Sequence, residues 1–272
     1  MSIQSPTQTS KQTSPQAAAQ EKAQAFTQPH AETTAQISPQ ATAQSIRTEL
    51  AACADPQRAA HCLRFFKTGP GEYGEHDRFW GISMPQLRNL VRRRGALALR
   101  DAEDLLRDPI HEVRACALLF LYARFSRSDG DTRARIISLY LRNSRHVNNW
   151  DLVDMSCGML GHWLLPQKDR SLLARLAGSA NMWEQRMAVV GTLPLIKHGE
   201  FTEILALADG LCRHPHDLMH KALGWMLREL GKKDKQTLET FLAAHCRTLP
   251  RTTLRYAIER FPEAERQYWL HR

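Results

Sequence analysis

Helical periodicity is the feature that most restricts how this chain can fold. From Ser45 to the C terminus, apolar residues recur at spacings of three and four, and no segment alternates convincingly with a period of two. The pattern breaks at Pro, Gly or Asp-Gly, which end helices. We therefore predict an all-α fold, with helices near residues 45–54, 56–67, 85–94, 99–107, 110–126, 132–143, 149–165, 168–177, 182–198, 201–213, 217–230, 235–245 and 251–260.

The predicted helices are short and pair at a spacing of roughly 40 residues. Such pairing favours a helical solenoid of the HEAT or armadillo kind, in which each pair buries its apolar faces against its neighbours. A compact all-α bundle fits the degenerate repeat almost as well. We expect the solenoid because it forms a long concave surface, and a basic face on that surface would suit a long polyanion.

The first 43 residues differ in composition from the rest. Residues 1–43 are rich in Gln, Ala, Ser and Thr and lack the hydrophobic region of a secretory signal, so we predict a disordered N-terminal tail. Their charges, Lys11, Lys22, Glu21 and Glu32, cancel, which leaves the net charge of +9 on residues 44–272. We expect this domain to carry the function and, because of its charge, to bind a polyanion.

Several classes of protein are disfavoured by what the sequence lacks. The six cysteines are scattered singly without a C-x-x-C pair, and the twelve histidines show no metal-ligand spacing, so we expect free thiols and no metal site. There is no nucleophile elbow, phosphate-binding loop or dinucleotide fingerprint, so we expect no such cofactor. No apolar run approaches the roughly 20 residues that span a bilayer. We expect a cytoplasmic protein that does not contact membranes.

The segment 148–154, NNWDLVD, is the strongest candidate for chemistry. In a helix, Trp150 and Asp154 fall on one side, one turn apart, together with Gly158 and Gly161, whose missing side chains would let another molecule approach. An aromatic face beside a carboxylate favours a cation, or a group that becomes cationic during a reaction. The alternative is structural, with a packed tryptophan and an aspartate that offsets the helix dipole.

A second segment, 218–233, has the same two-sided design. Lys221, Trp225, Arg228 and Lys232 share one side of the predicted helix, opposite a core stripe, and an aromatic residue among cations is typical of nucleic-acid binding. A solvated cationic face that includes one packed tryptophan is equally consistent with the pattern. The loop 68–82 is longer and more aromatic than a passive connection needs to be, and we predict that it binds a ligand.

The chain from about Ser45 onward resembles the AlkD-like DNA alkylation repair family, a group of HEAT-like repeat DNA glycosylases. The resemblance covers seven landmarks: FFKTGPGEYGEHDRFW at 65–80, GISMPQLR at 81–88, HEVR at 111–114, NWDLVD at 149–154, WEQRMAV at 183–189, GWMLRE at 224–229 and TLRYAIE at 253–259. Together these landmarks are specific, although each alone is weak.

The resemblance implies a function and a set of site residues. It implies that the chain removes positively charged N3- and N7-alkylated purines from duplex DNA. Asp154 would be the catalytic carboxylate, Trp150 and Trp225 would contact the lesion nucleotide, and Arg186 would hold a nearby phosphate and orient the aspartate. The residues expected to bind DNA around this site are Lys67, Tyr73, Lys221, Arg228 and Lys232.

Two other functions use the same fold and charge. A non-catalytic protein could bind bent, branched or flapped DNA on a basic concave face, and it would give Asp154 no indispensable role. A helical-repeat protein scaffold would bind DNA weakly and with little dependence on salt. No segment indicates a self-complementary surface, so we expect a monomer.

Overall fold

The structure, a computed structural model, describes residues 41–272. In this part of the chain every regular element is helical, which confirms the predicted all-α class. The helices are α1 (Ala43–Ala51), α2 (Pro56–Phe65), α3 (Met84–Arg94), α4 (Leu99–Leu106), α5 (His111–Ser126), α6 (Gly130–Arg142), α7 (Trp150–Ser156), α8 (Gly158–Leu164), α9 (Ser171–Ala177), α10 (Met182–Val190), α11 (Leu193–Lys197), α12 (Thr202–Leu211), α13 (Asp217–Lys233), α14 (Lys235–His245), α15 (Arg251–Ala257) and α16 (Glu263–His271), with one 3₁₀ turn at Ser144–His146.

Most predicted helix bounds are close to the observed ones, but two predicted helices are each divided into two, and one observed helix has no predicted counterpart. The helix predicted over 149–165 is interrupted at Cys157, between α7 and α8. The helix predicted over 182–198 ends at Val190, before Pro194, whose ring and missing N–H interrupt the hydrogen-bond ladder. The C-terminal α16 was absent from the prediction, although Pro262 immediately precedes its first residue and favours a helix start.

The helices stack in a continuous row. Successive members of the series α3, α5, α7, α10, α13 and α15 each contact the next, and helices of a second layer pack onto this row, as in the pairs α4·α5, α9·α10 and α13·α14. This neighbour-to-neighbour order is what a helical solenoid requires, because each repeat buries its apolar surface mainly against adjacent repeats. The predicted HEAT-like architecture is consistent with this arrangement.

Helices in the middle of the row are buried on more than one side. Every residue of α5 from His111 to Tyr122 is buried, which is expected of a helix that packs against α3, α4, α6 and α7. His111, Glu112 and Arg114 are therefore buried charged groups, each of which needs a partner inside the protein. Their partners come from the loop before α3 and from the start of α7.

The described part of the chain includes the last three residues of the predicted tail. Ala41 is 3% exposed, and Thr42 caps α1 by accepting a hydrogen bond from the Ser45 backbone N–H at 3.2 Å. The remainder of the tail predicted at residues 1–43 lies outside the described residues. No helix in the described part of the chain is long and apolar enough to cross a membrane.

Gly158 and Gly161 serve helix packing, contrary to the prediction that they admit another molecule. A Cβ atom at Gly161 would lie 2.2 Å from the backbone oxygen of Gly191 and 2.5 Å from Pro194 Cδ. A Cβ atom at Gly158 would lie 3.1 Å from the Tyr122 hydroxyl. The glycine face of α8 is therefore covered by other parts of the same chain.

We predict that Gly161→Ala lowers the free energy of unfolding by about 1–3 kcal/mol, because backbone atoms must move to admit the methyl group. The matched control is Gly210→Ala, in α12, where an added Cβ meets nothing within 4 Å. This control should be neutral or stabilising by up to about 1 kcal/mol, since alanine has the higher helix propensity. Urea denaturation of both variants measures the difference, and equal stabilities would contradict the packing role.

Candidate functional site

The start of α7 places three candidate side chains at the centre of the helix row. Asn149 is the N-cap residue, and its side-chain oxygen accepts a hydrogen bond from the Trp150 backbone N–H at 2.8 Å. Trp150 and Asp151 follow in the first turn, and Asp154 lies one turn further on. Since α7 packs between α5 and α10, these residues face neighbouring helices on both sides.

Asp154 and Arg186 form a buried, bidentate ion pair. Arg186 of α10 donates from Nε to Oδ1 of Asp154 at 2.9 Å and from Nη2 to Oδ2 at 2.8 Å. The side chains are only 3% and 2% exposed, respectively. Burial raises the pKa of Asp154 and nearby Asp151 adds to this, whereas the Arg186 guanidinium opposes both. The pair therefore fixes the orientation of a carboxylate that solvent barely reaches.

Arg186 is a partner of Asp154 rather than a surface cation. Its third nitrogen, Nη1, donates to the backbone oxygen of Leu218 in α13 at 2.5 Å, so all three nitrogens point to protein acceptors. This arrangement agrees with the expectation that Arg186 orients the aspartate. It does not agree with the expectation that Arg186 holds a DNA phosphate, because a guanidinium enclosed in this way offers no accessible edge.

Trp150 is packed, so the sequence-based picture of an open aromatic face is wrong in this respect. The residue is 3% exposed, its ring stacks on Phe66 at 5.5 Å between centroids, and Phe65 approaches it edge-on at 5.9 Å. Its indole N–H is buried and has no acceptor among the described residues. A buried donor without a partner is uncommon.

The loop predicted to bind a ligand is folded against this site through Tyr73. The Tyr73 ring contacts Trp183 at 6.1 Å and His216 at 6.2 Å between centroids. Its hydroxyl lies beside Trp150, although outside hydrogen-bonding geometry. Burial raises the pKa of Tyr73 against the opposing effect of Trp150, and the charge of Asp151 raises it further.

The far end of the same loop is anchored by the first turn of α5. The buried carboxylate of Glu112 accepts hydrogen bonds from the backbone N–H groups of Trp80, Gly81 and Ile82 at 3.0, 2.7 and 3.2 Å. Three satisfied donors compensate for the burial of one charge. Tyr73 is thus carried on a loop that is fixed at its C-terminal end.

A second buried network joins this loop to α7 through His111. The imidazole Nδ1 lies 3.0 Å from Oδ2 of Asp77 in the loop, and Nε2 lies 2.8 Å from Oδ2 of Asp151. Arg114 contacts the other oxygen of Asp77 at 2.5 Å, and the side chains of Asn148 and Asn149 also donate to Asp77. Every cation and anion in this network has an oppositely charged partner.

The pKa values in this network move in the directions that its geometry requires. Burial alone would lower the pKa of His111, but the adjacent carboxylates of Asp151 and Asp77 outweigh it and raise the pKa to about 9. Burial alone would raise the pKa of Asp77, but His111 and Arg114 lower it to about 2. At neutral pH the ring is therefore an imidazolium that donates to two carboxylates.

The predicted basic stripe on α13 is not an exposed cationic face. Trp225 is 1% exposed and Arg228 is 5% exposed, so the expectation that Trp225 points to solvent is wrong. Arg228 pairs with Glu259, Lys221 pairs with Asp217 at 2.8 Å, and Lys232 pairs with Glu229 at 2.7 Å. The Trp225 indole N–H, like that of Trp150, is buried without an acceptor among the described residues.

Sequence reasoning identified the Trp150, Asp154 and Arg186 cluster but missed the groups that surround it. His111 has no metal-ligand spacing, and no sequence pattern assigns a role to Asp77 or Asp151. Both His111 and Asp77 lie in landmark segments, HEVR and 65–80, but the motifs do not indicate that the two side chains meet. No periodicity links positions 77, 111 and 151, which only the fold brings together.

Comparisons with known proteins agree with this fold. A family model described as "DNA alkylation repair enzyme" matches residues 46–261. Among solved structures, a protein from Enterococcus faecalis, described as a predicted DNA alkylation repair enzyme, aligns with a TM-score of 0.60 and 18% sequence identity, covering 77% of this chain and 97% of that one. At this identity the likeness shows a shared fold. No curated protein matches the chain.

We predict that the stability of the protein falls as the pH rises through the pKa of His111. The folded-state pKa of about 9 lies above the ordinary value of 6.5, so the stabilisation is fully present below pH 6.5 and is lost as the pH passes 9. The loss should be about 3 kcal/mol in the free energy of unfolding.

Urea denaturation between pH 6.5 and 9.5 measures this dependence. His111→Gln should be less stable than wild type at pH 7 and should show little further change over the interval. The matched control is His271→Gln at the exposed C-terminal end of α16, which should keep the wild-type slope. A flat wild-type profile would show that the ring is not charged in the folded protein.

Proposed function

The chain belongs to the DNA alkylation repair enzyme family, and from this premise we propose that it is a DNA glycosylase of base excision repair. The family description assigns it a role in DNA alkylation repair, and therefore an action on DNA. We propose that it acts as a monomer and hydrolyses the N-glycosidic bond of purines that carry an alkyl group at N3 or N7.

The chemistry of these lesions determines what the protein must supply. An alkylated purine already carries a positive charge, so it leaves with less proton donation than a neutral base needs. The harder task is to stabilise the sugar, which becomes oxocarbenium-like as the bond breaks. A fixed carboxylate near C1′ lowers this barrier electrostatically, and such preorganised charge is worth about 100- to 1000-fold in rate.

The observation that carries the proposal is the Asp154–Arg186 pair beside Trp150. The bidentate contact holds Asp154 in one orientation, at 2.9 and 2.8 Å, and opposes the rise in pKa that burial causes. Each carboxylate oxygen accepts one hydrogen bond from Arg186 and retains capacity for another partner. Asp154 can therefore face a developing cation or orient a water molecule without changing its own position.

The two tryptophans contribute less than the resemblance implies. Trp150 is 3% exposed and Phe66 covers one face of its ring, so a lesion nucleotide meets only the small part of the ring that is left exposed. At Trp225 the available group is the buried N–H, which suits an oxygen atom of the DNA backbone. Trp150 then makes a cation–π contact with the damaged nucleotide, and Trp225 acts mainly as a hydrogen-bond donor.

A non-catalytic DNA binder is a second candidate, and one observation favours it. Asp154 is 3% exposed and fully paired, as a structural salt bridge between α7 and α10 would be. Such a protein would bind distorted or damaged DNA without breaking a bond. The two candidates differ in whether any base is released.

We predict that Asp154→Asn reduces single-turnover release of 7-methylguanine from a defined duplex by at least about 100-fold, because it removes the negative charge that stabilises the sugar cation. Asparagine can still accept a hydrogen bond from Arg186 but leaves its buried charge uncompensated, so the free energy of unfolding should fall by about 3–5 kcal/mol. Release is therefore compared at a temperature where both proteins are folded, and there the duplex Kd should change little. Base release is measured by chromatography, the fold by thermal denaturation and binding by fluorescence anisotropy.

The control for this variant is Asp209→Asn, an equal change of charge at a carboxylate that is 69% exposed. It should release the base at the wild-type rate. If wild type itself releases none while binding the duplex, the non-catalytic binder is the correct function.

We also predict that duplex binding weakens steeply with salt, with a log–log slope of about −0.9 for each phosphate neutralised. Lys67 is exposed immediately before the Tyr73 loop, so Lys67→Gln should make the slope shallower by about 0.9. Lys168→Gln, an equally exposed change outside the predicted DNA-binding set, should leave it unaltered. Binding that is insensitive to salt would instead favour a protein scaffold.

A further inference from the structure

Asp151 is a second acid beside the proposed excision site, and its geometry differs from that of Asp154. Its side chain is 16% exposed, compared with 3% for Asp154. One oxygen, Oδ2, contacts His111 at 2.8 Å, whereas Oδ1 is buried and has no donor among the described residues. A carboxylate oxygen left without a donor in a buried place is costly, and a purely structural salt bridge does not explain it.

Asp151 and Asp154 share one side of the same helix start. They are separated by three residues, so their side chains are neighbours on the helix surface. The charge of Asp151 raises the pKa values of both Asp154 and Tyr73. Two like charges at this spacing repel each other, and each is compensated by a cation from a different neighbouring helix, His111 of α5 and Arg186 of α10.

His111 is built to hold this carboxylate in place. Its ring stacks on Phe79 at 4.6 Å and contacts Phe66, tilted, at 5.0 Å between centroids, and these two phenyl rings are 5.1 Å from each other. The charged groups that contact the ring are Asp77 from the loop and Asp151 from α7. Arg114, which is on the same helix as His111, donates a hydrogen bond to the other oxygen of Asp77. Hydrogen bonds at both nitrogens and packing against two aromatic rings hold the imidazole in one orientation.

We propose that Asp151 is a second catalytic carboxylate of the excision site and that His111 is the residue that positions it. This inference rests on the glycosylase function proposed above. Oδ1 of Asp151 accepts a hydrogen bond from the water that attacks C1′, while Asp154 stabilises the positive sugar. Two acids then share the tasks that the resemblance assigns to Asp154 alone.

The proposed step balances in atoms and charge. The bond between C1′ and N9 of the purine breaks, and its electron pair goes to N9, which neutralises the positive charge of the alkylated base. The water oxygen forms a bond to C1′, and its proton passes to Asp151 and then to solvent. The products are a neutral free base, an abasic sugar and one proton.

The bridge between His111 and Asp151 is tested without DNA. Histidine-selective ¹⁵N NMR of the full chain follows the His111 ring against pH, and its pKa should be near 9 in wild type. In Asp151→Asn this pKa should fall by at least about one unit, because the hydrogen-bonded anion is lost. An unchanged titration would overturn the positioning role of His111.

The catalytic role is tested by single-turnover release of 7-methylguanine by wild type, Asp151→Asn, His111→Gln and the double variant. Asp151→Asn should slow release by about 10- to 100-fold, with the duplex Kd within twofold of wild type. If His111 acts through Asp151, the double variant should be no slower than Asp151→Asn, whereas independent effects would multiply.

The matched control is Asp131→Asn, which changes the aspartate at the equivalent second position of α6. It removes the same favourable interaction with a helix N-terminus but lies in another helix, so its release rate should equal that of wild type. If Asp151→Asn also matches wild type, Asp151 is not catalytic.

A pH profile keeps the test decisive if Asp151→Asn fails to fold. Wild-type release should decline as the pH rises through about 9, where His111 loses the proton that orients Asp151. His111→Gln, which carries no titrating group there, should show no such decline, and parallel profiles would overturn the proposal. If wild type releases no base at any pH, the proposed glycosylase function is wrong. If wild type is active and Asp151→Asn is equally active, only the proposed role of Asp151 is wrong.

Discussion

The start of α7 depends on one constraint, which is that buried carboxylates need cations supplied by other helices. Asp154 is paired by Arg186 from α10, and Asp151 is paired by His111 from α5. Removing one partner from such a pair leaves an uncompensated buried charge, which typically costs about 3–5 kcal/mol. The positions of three successive helices in the row are therefore linked by charge as well as by apolar packing.

These ion pairs also connect the helix row to the loop that carries Tyr73. His111 contacts Asp77 of the loop with one nitrogen and Asp151 of α7 with the other. Arg186 extends the contacts in the opposite direction, to the backbone of α13. Polar contacts therefore run from the loop through α5, α7 and α10 to α13.

The sequence predicted the helices well because a period near 3.6 is a local property, set by residues three and four apart. It predicted the surfaces of those helices poorly, because an amphipathic pattern assumes one buried side. Trp225 is only 1% exposed. Its helix, α13, contacts both α10 and α15, so more of the surface of this helix is buried than an amphipathic pattern predicts. Gly161 has the same explanation, since α8 is covered by the chain near Pro194.

The sequence alone also did not determine which charged side chains form pairs in the folded protein. Arg186 was unremarkable by spacing, although 32 residues away in sequence it holds Asp154 with two hydrogen bonds. The network of His111 spans a loop and two helices, and no local rule brings such positions together. The landmark motifs marked the right segments, but the identity of each charge partner depends on how successive repeats stack.

In the proposed glycosylase, the charge balance of the buried groups bears on which bases are excised. Asp77, Asp151 and Asp154 are matched by His111, Arg114 and Arg186 at neutral pH, so the cluster is close to neutral as a whole. A neutral cluster attracts DNA weakly, and the affinity must come from the excess of basic residues elsewhere on the chain, whose net charge is +9.

What the cluster supplies instead is a set of dipoles that cannot reorient, because each acid is held by its cation. Fixed dipoles of this kind lower the energy of a positive charge that develops beside the acids, and they stabilise a neutral nucleotide little. The selectivity of the proposed enzyme would then depend on the charge that develops at the sugar and base, and not on the shape of a pocket.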